Sequence, residues 1–154
     1  MTGLNTPAVI TAAIDHLVQT GLFESVQDHE STSASSGGLT ADVWVADIKP
    51  VAGQSGLDIT SALLTLTVRI YLNAMPPASN EIEQTITGAA DVLLTAYNKS
   101  FTFDGTVSWV DLLGEYGTPL SSIGGYVTVG GVFFRCMTVT VPCVIDDVWP
   151  QSPA

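Results

Sequence analysis

Apolar and polar positions alternate without a break through residues 63–72. Leu64, Leu66, Val68, Ile70 and Leu72 fall on one side, and Leu63, Thr65, Thr67, Arg69 and Tyr71 on the other. A period of two held this long predicts a strand with one fully apolar face. The second face mixes threonines with apolar residues and carries an arginine. A solvent face would hold more charge, and a core face would not hold an arginine. Such a face suits contact with another copy of the chain or with a partner. The terminal run repeats the pattern. Phe133, Arg135, Met137, Val139 and Val141 share one side there, and Phe134, Cys136, Thr138 and Thr140 the other. Two such strands side by side predict the centre of an antiparallel sheet. Gly130-Gly131 reads as a tight turn or as a bulge, so this region holds one or two strands.

Two stretches switch to helical spacing. In "NTPAVITAAIDHLVQTGLF" an apolar stripe runs through Ile10, Ala13, Ile14 and Leu17. Thr6 is the expected N-cap, Pro7 suits the first helical position, and Gly21 is placed to end the helix. In "NEIEQTITGAADVLLTAYN" the stripe is Ile82, Ile86, Ala89, Ala90, Leu93 and Tyr97. Asn80 and Glu83 form a capping-box pattern, and Glu81 and Glu83 favour the positive helix start. Residues 28–38 are small and polar and read as a loop or hairpin tip. Residues 39–51 alternate as a strand that breaks at Pro50. "AGQSGLDI" reads as a turn-rich connection, Met75-Pro76-Pro77 as the stop of the opening strand, and "TVSWVDLLGEYG" as a further strand. Residues 116–125 read as an extended loop, and "DDVWPQSPA" as a tail. The chain is therefore one α+β domain over residues 1–146 with a tail at 147–154. A mostly antiparallel sheet carries two helices on one face. The second face has no helix left to cover it, so it meets another subunit or the chain's own long hairpin folded back.

Composition sharpens this picture. Charged residues make up only 12% of the 154-residue chain, about half the usual share. Much of the surface is thus not built for water, which points to an oligomer or a component of an assembly. The net charge is −11, with fifteen acids against Lys49, Arg69, Lys99 and Arg135. Clustered cations that would grip nucleic-acid phosphates are absent. Cys136 and Cys143 on one extended strand would lie about 23 Å apart, too far for a disulfide, so they read as free thiols. Their spacing matches no zinc pattern. "MTGLNTPAVI" lacks the basic start of a signal peptide, and no run is long and apolar enough to span a membrane.

Candidate chemistry is sparse. "GQSG" is not a nucleophile elbow and reads as a turn. His16 belongs at the edge of the first helix stripe. His29, between Asp28 and Glu30, reads as a solvated loop residue rather than a metal ligand. Glu81/Glu83 and Asp146-Asp147 have plain explanations as a helix start and a tail. "GGYVTVGG" lacks the lysine and helix of a phosphate loop and reads as a hairpin. The rare cations say more. Arg69 and Arg135, each flanked by apolar residues, pair with a carboxylate either within the chain or across a subunit boundary. Trp44, Trp109 and Trp149 are the other candidates. Trp149, in a proline-flanked tail, either anchors in a neighbour's pocket or lies loose. The interface candidates are accordingly Arg69, Tyr71, Arg135, Phe133 and Trp149, with His29, Tyr116 and Tyr126 from the loops.

The order of a short N-terminal helix, two strands, a second helix led by "NEIEQTI", and a terminal strand ending "TVTVPCVID" resembles the tail terminator proteins of long-tailed, lambda-like bacteriophages. The resemblance covers about residues 4–146. It implies a small α+β virion protein that forms a homo-oligomeric, hexameric ring. One face of that ring would cap the tail tube protein, and the other would meet a head-completion or neck protein. DNA would pass through an acidic lumen without specific binding, since like charges repel. The resemblance further implies assembly in the host cytoplasm, no membrane, no catalytic residue, no cofactor and no metal. Two alternatives stay open. One is another neck component, a head-closure or connector adaptor protein. The other is a small soluble enzyme or ligand-binding domain, which predicts a deep pocket lined by convergent polar groups.

Overall fold

The computed structural model describes residues 3–31, 38–73 and 79–152, with side chains of the last segment from Glu81 onward. The elements are α1 (Thr6–Gln19), β1 (Ser25–Gln27), β2 (Thr40–Pro50), a 3-10 turn (Ala52–Gln54), β3 (Ile59–Asn73), α2 (Ser79–Lys99), β4 (Trp109–Val110), β5 (Ser121–Val129) and β6 (Val132–Pro150). They form an α+β fold around one six-stranded sheet of order β1-β2-β3-β6-β4. β5 and β4 share the remaining edge of β6, β5 against Val132–Thr140 and β4 against Val144 and Cys143. Every ladder is antiparallel except β1–β2. The two runs read as central strands are indeed neighbours at the centre, paired from Ile59↔Pro150 to Asn73↔Phe134.

The pleat sorts the side chains. Leu66 pairs with Val45 and Val141, and Val68 with Val43 and Val139, so these residues face the same way. Onto that face α1 packs Val9, Ala13 and Leu17, and α2 packs Ile86, Ala89, Ala90, Leu93 and Tyr97, giving one continuous core. Leu64, Leu66, Val68 and Ile70 have no exposed surface, and burying each leucine contributes about 2 kcal/mol.

The other face answers the question raised by residues 63–72. It is half covered, and by the sheet's own flanks rather than by a helix. At one end Leu63, Val51 and Val144 are buried against Trp109 and Tyr116. At the other, Tyr71, Phe134 and Cys136 are buried beneath Val127, Val129 and Val132 of the β5–β6 hairpin. Between the two clusters runs a half-exposed strip that includes Thr65, Thr67, Arg69, Thr138 and Thr140.

Several expectations change in detail. Asn5, not Thr6, caps α1, its Oδ1 accepting from the Ala8 N–H at 3.4 Å. β1 was not expected; it is three residues long and owes its place to a parallel ladder with Thr40–Asp42. Residues 121–125 belong to β5 and not to a loop, because they pair with Cys136–Thr140. Within 106–117 only Trp109 and Val110 are strand. The remainder turns around buried Asp111, whose carboxylate accepts from the N–H groups of Glu115 and Tyr116 at 2.9 Å each. Gly130-Gly131 is a two-residue turn with φ of +55° and +79°, joining Val129 to its partner Val132. Positive φ at both positions is what a type I′ hairpin turn requires, and glycine meets it without a Cβ clash. The tail expected from 147 is strand through Pro150. The chain bends at Asp147, φ +57°, opposite an irregularity between Thr60 and Ala62. Buried Ser61 fills that bend, its Oγ accepting from the Asp147 N–H at 3.1 Å and donating to Gln54 O at 2.9 Å. α2 starts at Ser79, so Asn80, the expected cap, lies within the helix; its side chain and the Met75-Pro76-Pro77 stop lie outside the described residues, as does most of the loop at 28–38.

Candidate functional site

The interface candidates separate into three places. Arg69 and Arg135 do not share a face. Arg69 pairs in register with Thr138, and Arg135 with Leu72, which puts them on opposite sides of the sheet.

Arg69 lies on the helix-free strip. Its guanidinium sits 5.1 Å from the centre of the Trp44 ring, donates from Nη1 to Glu30 Oε2 at 3.2 Å, and lies 3.4 Å by Nε from Thr138 Oγ1. The ion pair left open between chain and neighbour thus has an intrachain partner. The neighbouring carboxylate, Asp42, is buried. It accepts from Ser31 twice, from the N–H and from the Oγ, both at 2.9 Å. These bonds pin the segment after β1 over the edge of β2 and bring Glu30 to Arg69. Tyr71, expected at an interface, is instead buried and packs edge-on against Phe134 at 5.8 Å. Burial first, then the Asp42 charge, pushes its hydroxyl well above the usual phenol range. His29 is exposed and bonded through Nδ1 to Asp28 Oδ1 at 2.9 Å.

The second place is the helix-side end of the β5–β6 hairpin. Arg135 donates from Nε and Nη2 to the two carboxylate oxygens of Glu83 in α2, both at 2.9 Å, and from Nη1 to Gly125 O at 2.9 Å. Its hydrogen bonds first, and its charge after them, hold the Glu83 carboxyl below the usual range. Beside it Tyr126 and Phe133 stack, ring centres 5.2 Å apart and planes 2° from parallel, with Tyr126 also 5.2 Å from the guanidinium. Both rings are exposed, Tyr126 by 63% and Phe133 by 44%. A Cβ on Gly124 would come within 2.8 Å of the Arg135 nitrogens, so glycine there lets the guanidinium cross β5.

The third place is the opposite end of the sheet. Tyr116 half-buries on the Val51–Leu63–Val144 cluster. Trp149 is half-buried in β6 opposite Thr60 rather than in a tail. Phe101, Trp109, Leu112, Leu113 and Glu115 line a shallow hollow of about 270 Å3, and Leu113 is 93% exposed. Asp42, Glu30 and Leu113 were not singled out in the sequence. An acid at a strand start and a leucine in a turn carry no local signal of what they will meet.

The remaining candidates of the sequence lie away from these places. His16 is buried between Tyr97 and Phe103, with ring centres at 5.5 and 5.2 Å. Cys143 is buried, and loss of solvation pushes its thiol up to about 12. Among the described residues no group of three or more His, Cys, Asp or Glu side chains could hold a metal, and no helix is long and apolar enough to cross a membrane. Compared with known proteins, the chain matches no protein-family model and no curated protein.

Proposed function

We propose that this protein is a structural component of a long-tailed phage virion. In this reading it is a tail terminator whose copies close into a hexameric ring between tail tube and head-neck connector, with DNA passing through the lumen. The observation that carries the reading is the placement of the exposed apolar side chains. Ile48, Phe101, Leu113, Ile123, Tyr126 and Phe133 lie at the lateral borders and hairpin end of one sheet and are 44% exposed or more. They line no enclosed polar site. Different apolar patches on different borders favour heterologous contacts, and heterologous contacts that close make rings. The low charge and the resemblance in element order support the same reading. Acids on the lumen wall would keep DNA from adhering.

Light scattering of the purified chain over a concentration range tests the ring. A hexamer, or a monomer–hexamer mixture that shifts with concentration, is expected. A closed dimer, or a monomer at every concentration, would overturn it. The other neck-component reading predicts assembly only on a partner. Reversal of lumen acids to lysine is expected to slow DNA ejection, and unchanged ejection would remove the lumen argument.

A further inference from the structure

The sheet register places two unlike surfaces at the same level on its two lateral borders. Lys49 pairs with Leu63, Leu63 with Val144, and Val144 with Trp109; one row later Ile48, Leu64, Cys143 and Val110 follow suit. One border is the outer side of β2 beyond residue 42, where β1 no longer covers it. There Ile48 is 46% exposed and Lys49 is exposed. The other border is the hollow of Phe101, Trp109, Leu112, Leu113 and Glu115.

Charge points the same way. Arg69 and Arg135 are committed to Glu30 and Glu83. Lys99 stands in the last turn of α2, where it complements the helix dipole. Lys49 is the remaining cation of the chain, and among the described residues it makes no ion pair. Glu115, exposed on the rim of the hollow, likewise makes none among the described residues.

We infer that the β2 border of one copy docks against the hollow of the next, with Ile48 over Leu113 and Phe101, and Lys49 paired to Glu115. The inference rests on the ring reading and names its subunit contact. The occupant is a second copy because the two surfaces are complementary, sit on opposite borders of one sheet, and lie at one level. Copies set side by side in the same orientation bring them together without a shift along the strands. The contact is made by side chains and not by strand addition. β2 is irregular between Val45 and Asp47 and ends in Pro50, and the Val110 N–H already donates to Phe101 O at 2.6 Å. Lysine, proline and a bulge also serve to guard a free edge against aggregation. A guarding lysine keeps that role when replaced by glutamate, whereas a pairing lysine does not.

The test is light scattering of the full chain at a concentration where the wild type is assembled. Lys49→Glu and Glu115→Lys are each expected to shift the mass to that of the monomer, and the double exchange to restore the assembled mass. A separate variant, Ile48→Cys with Leu113→Cys, is expected to form a disulfide between subunits on mild oxidation, a readout that does not depend on charge. If both single variants assemble as the wild type does and the cysteine pair does not cross-link, this contact is wrong and the ring reading stands. If the wild type itself never assembles, the ring reading falls and this contact with it.

Discussion

Arg135 and Glu83 clamp the terminal strand to the second helix through two hydrogen bonds of 2.9 Å, one to each carboxylate oxygen. The planar fork of arginine fits a carboxylate in a way that the single ammonium of lysine does not. Arg135→Lys is therefore expected to lower the unfolding midpoint although charge is kept. Equal midpoints for Lys and Arg would mean that charge alone holds the pair.

The same clamp sets a pH dependence. Arg135 lowers the Glu83 carboxyl below its ordinary value of 4.5. A depressed carboxyl adds stability that is fully present above the unfolded value and is lost as pH falls through the folded one. Urea midpoints measured from pH 6 downward should fall more steeply below about pH 4.5 for the wild type than for Glu83→Gln. Parallel curves would remove the clamp from the acid response.

Tyr97 is fully buried, and its hydroxyl has no hydrogen-bond partner among the described residues. A buried polar group without a partner costs about 1–3 kcal/mol, so its removal without a change of shape is neutral or favourable. Tyr97→Phe should leave stability unchanged or raise it by up to about 1 kcal/mol, while Tyr97→Ala should cost about 3–5 kcal/mol. Denaturant unfolding of the two variants separates these outcomes, and a costly Tyr97→Phe would reveal a partner for the hydroxyl.

The Gly130-Gly131 turn holds positive φ at both residues. Asparagine tolerates this conformation and a β-branched residue does not. Gly130→Asn should be tolerated, and Gly131→Val should destabilise by about 1–2 kcal/mol. Thermal unfolding of both variants is the check. A tolerated valine would mean that the turn changes type.

Cys143 and Cys136 are both buried, and burial raises both thiols. The thiolate is the reactive form. At pH 8 a thiol reagent should label native Cys143 far more slowly than the denatured chain, and labelling at the unfolded rate would show that the core opens readily.

How far the sequence alone reached depended on how local each signal was. β3 and β6 were legible because their alternation is long, and α1 and α2 because their stripes are continuous. β1 and β4 were not. Three and two residues carry no period, and their strand character comes from β2 and β6. Trp149 was read as tail because prolines flank it. Its strand geometry depends instead on Ser61 accepting from Asp147 across the sheet. Arg69 and Arg135 were recognised as unusual, but partners 39 and 52 residues away could not be read from spacing. Asp42 escaped notice for the same reason, since its role is fixed by Ser31 across a loop.

The strand order has a consequence for how the chain acquires its shape. β6 lies in the middle of the sheet yet comes after every other strand. Until Val132–Pro150 leaves the ribosome, β3 keeps an open edge with Leu64, Leu66 and Val68 beside it. The nascent chain can then hold only the β1–β2–β3 part of the sheet and its helices. The decisive ladder joins residues as far apart as Asn73 and Phe134 at one end and Ile59 and Pro150 at the other, and such distant closure is slow. The core is thus completed only once β6 is available to pair with β3. The interval before completion is when this protein is most exposed to aggregation.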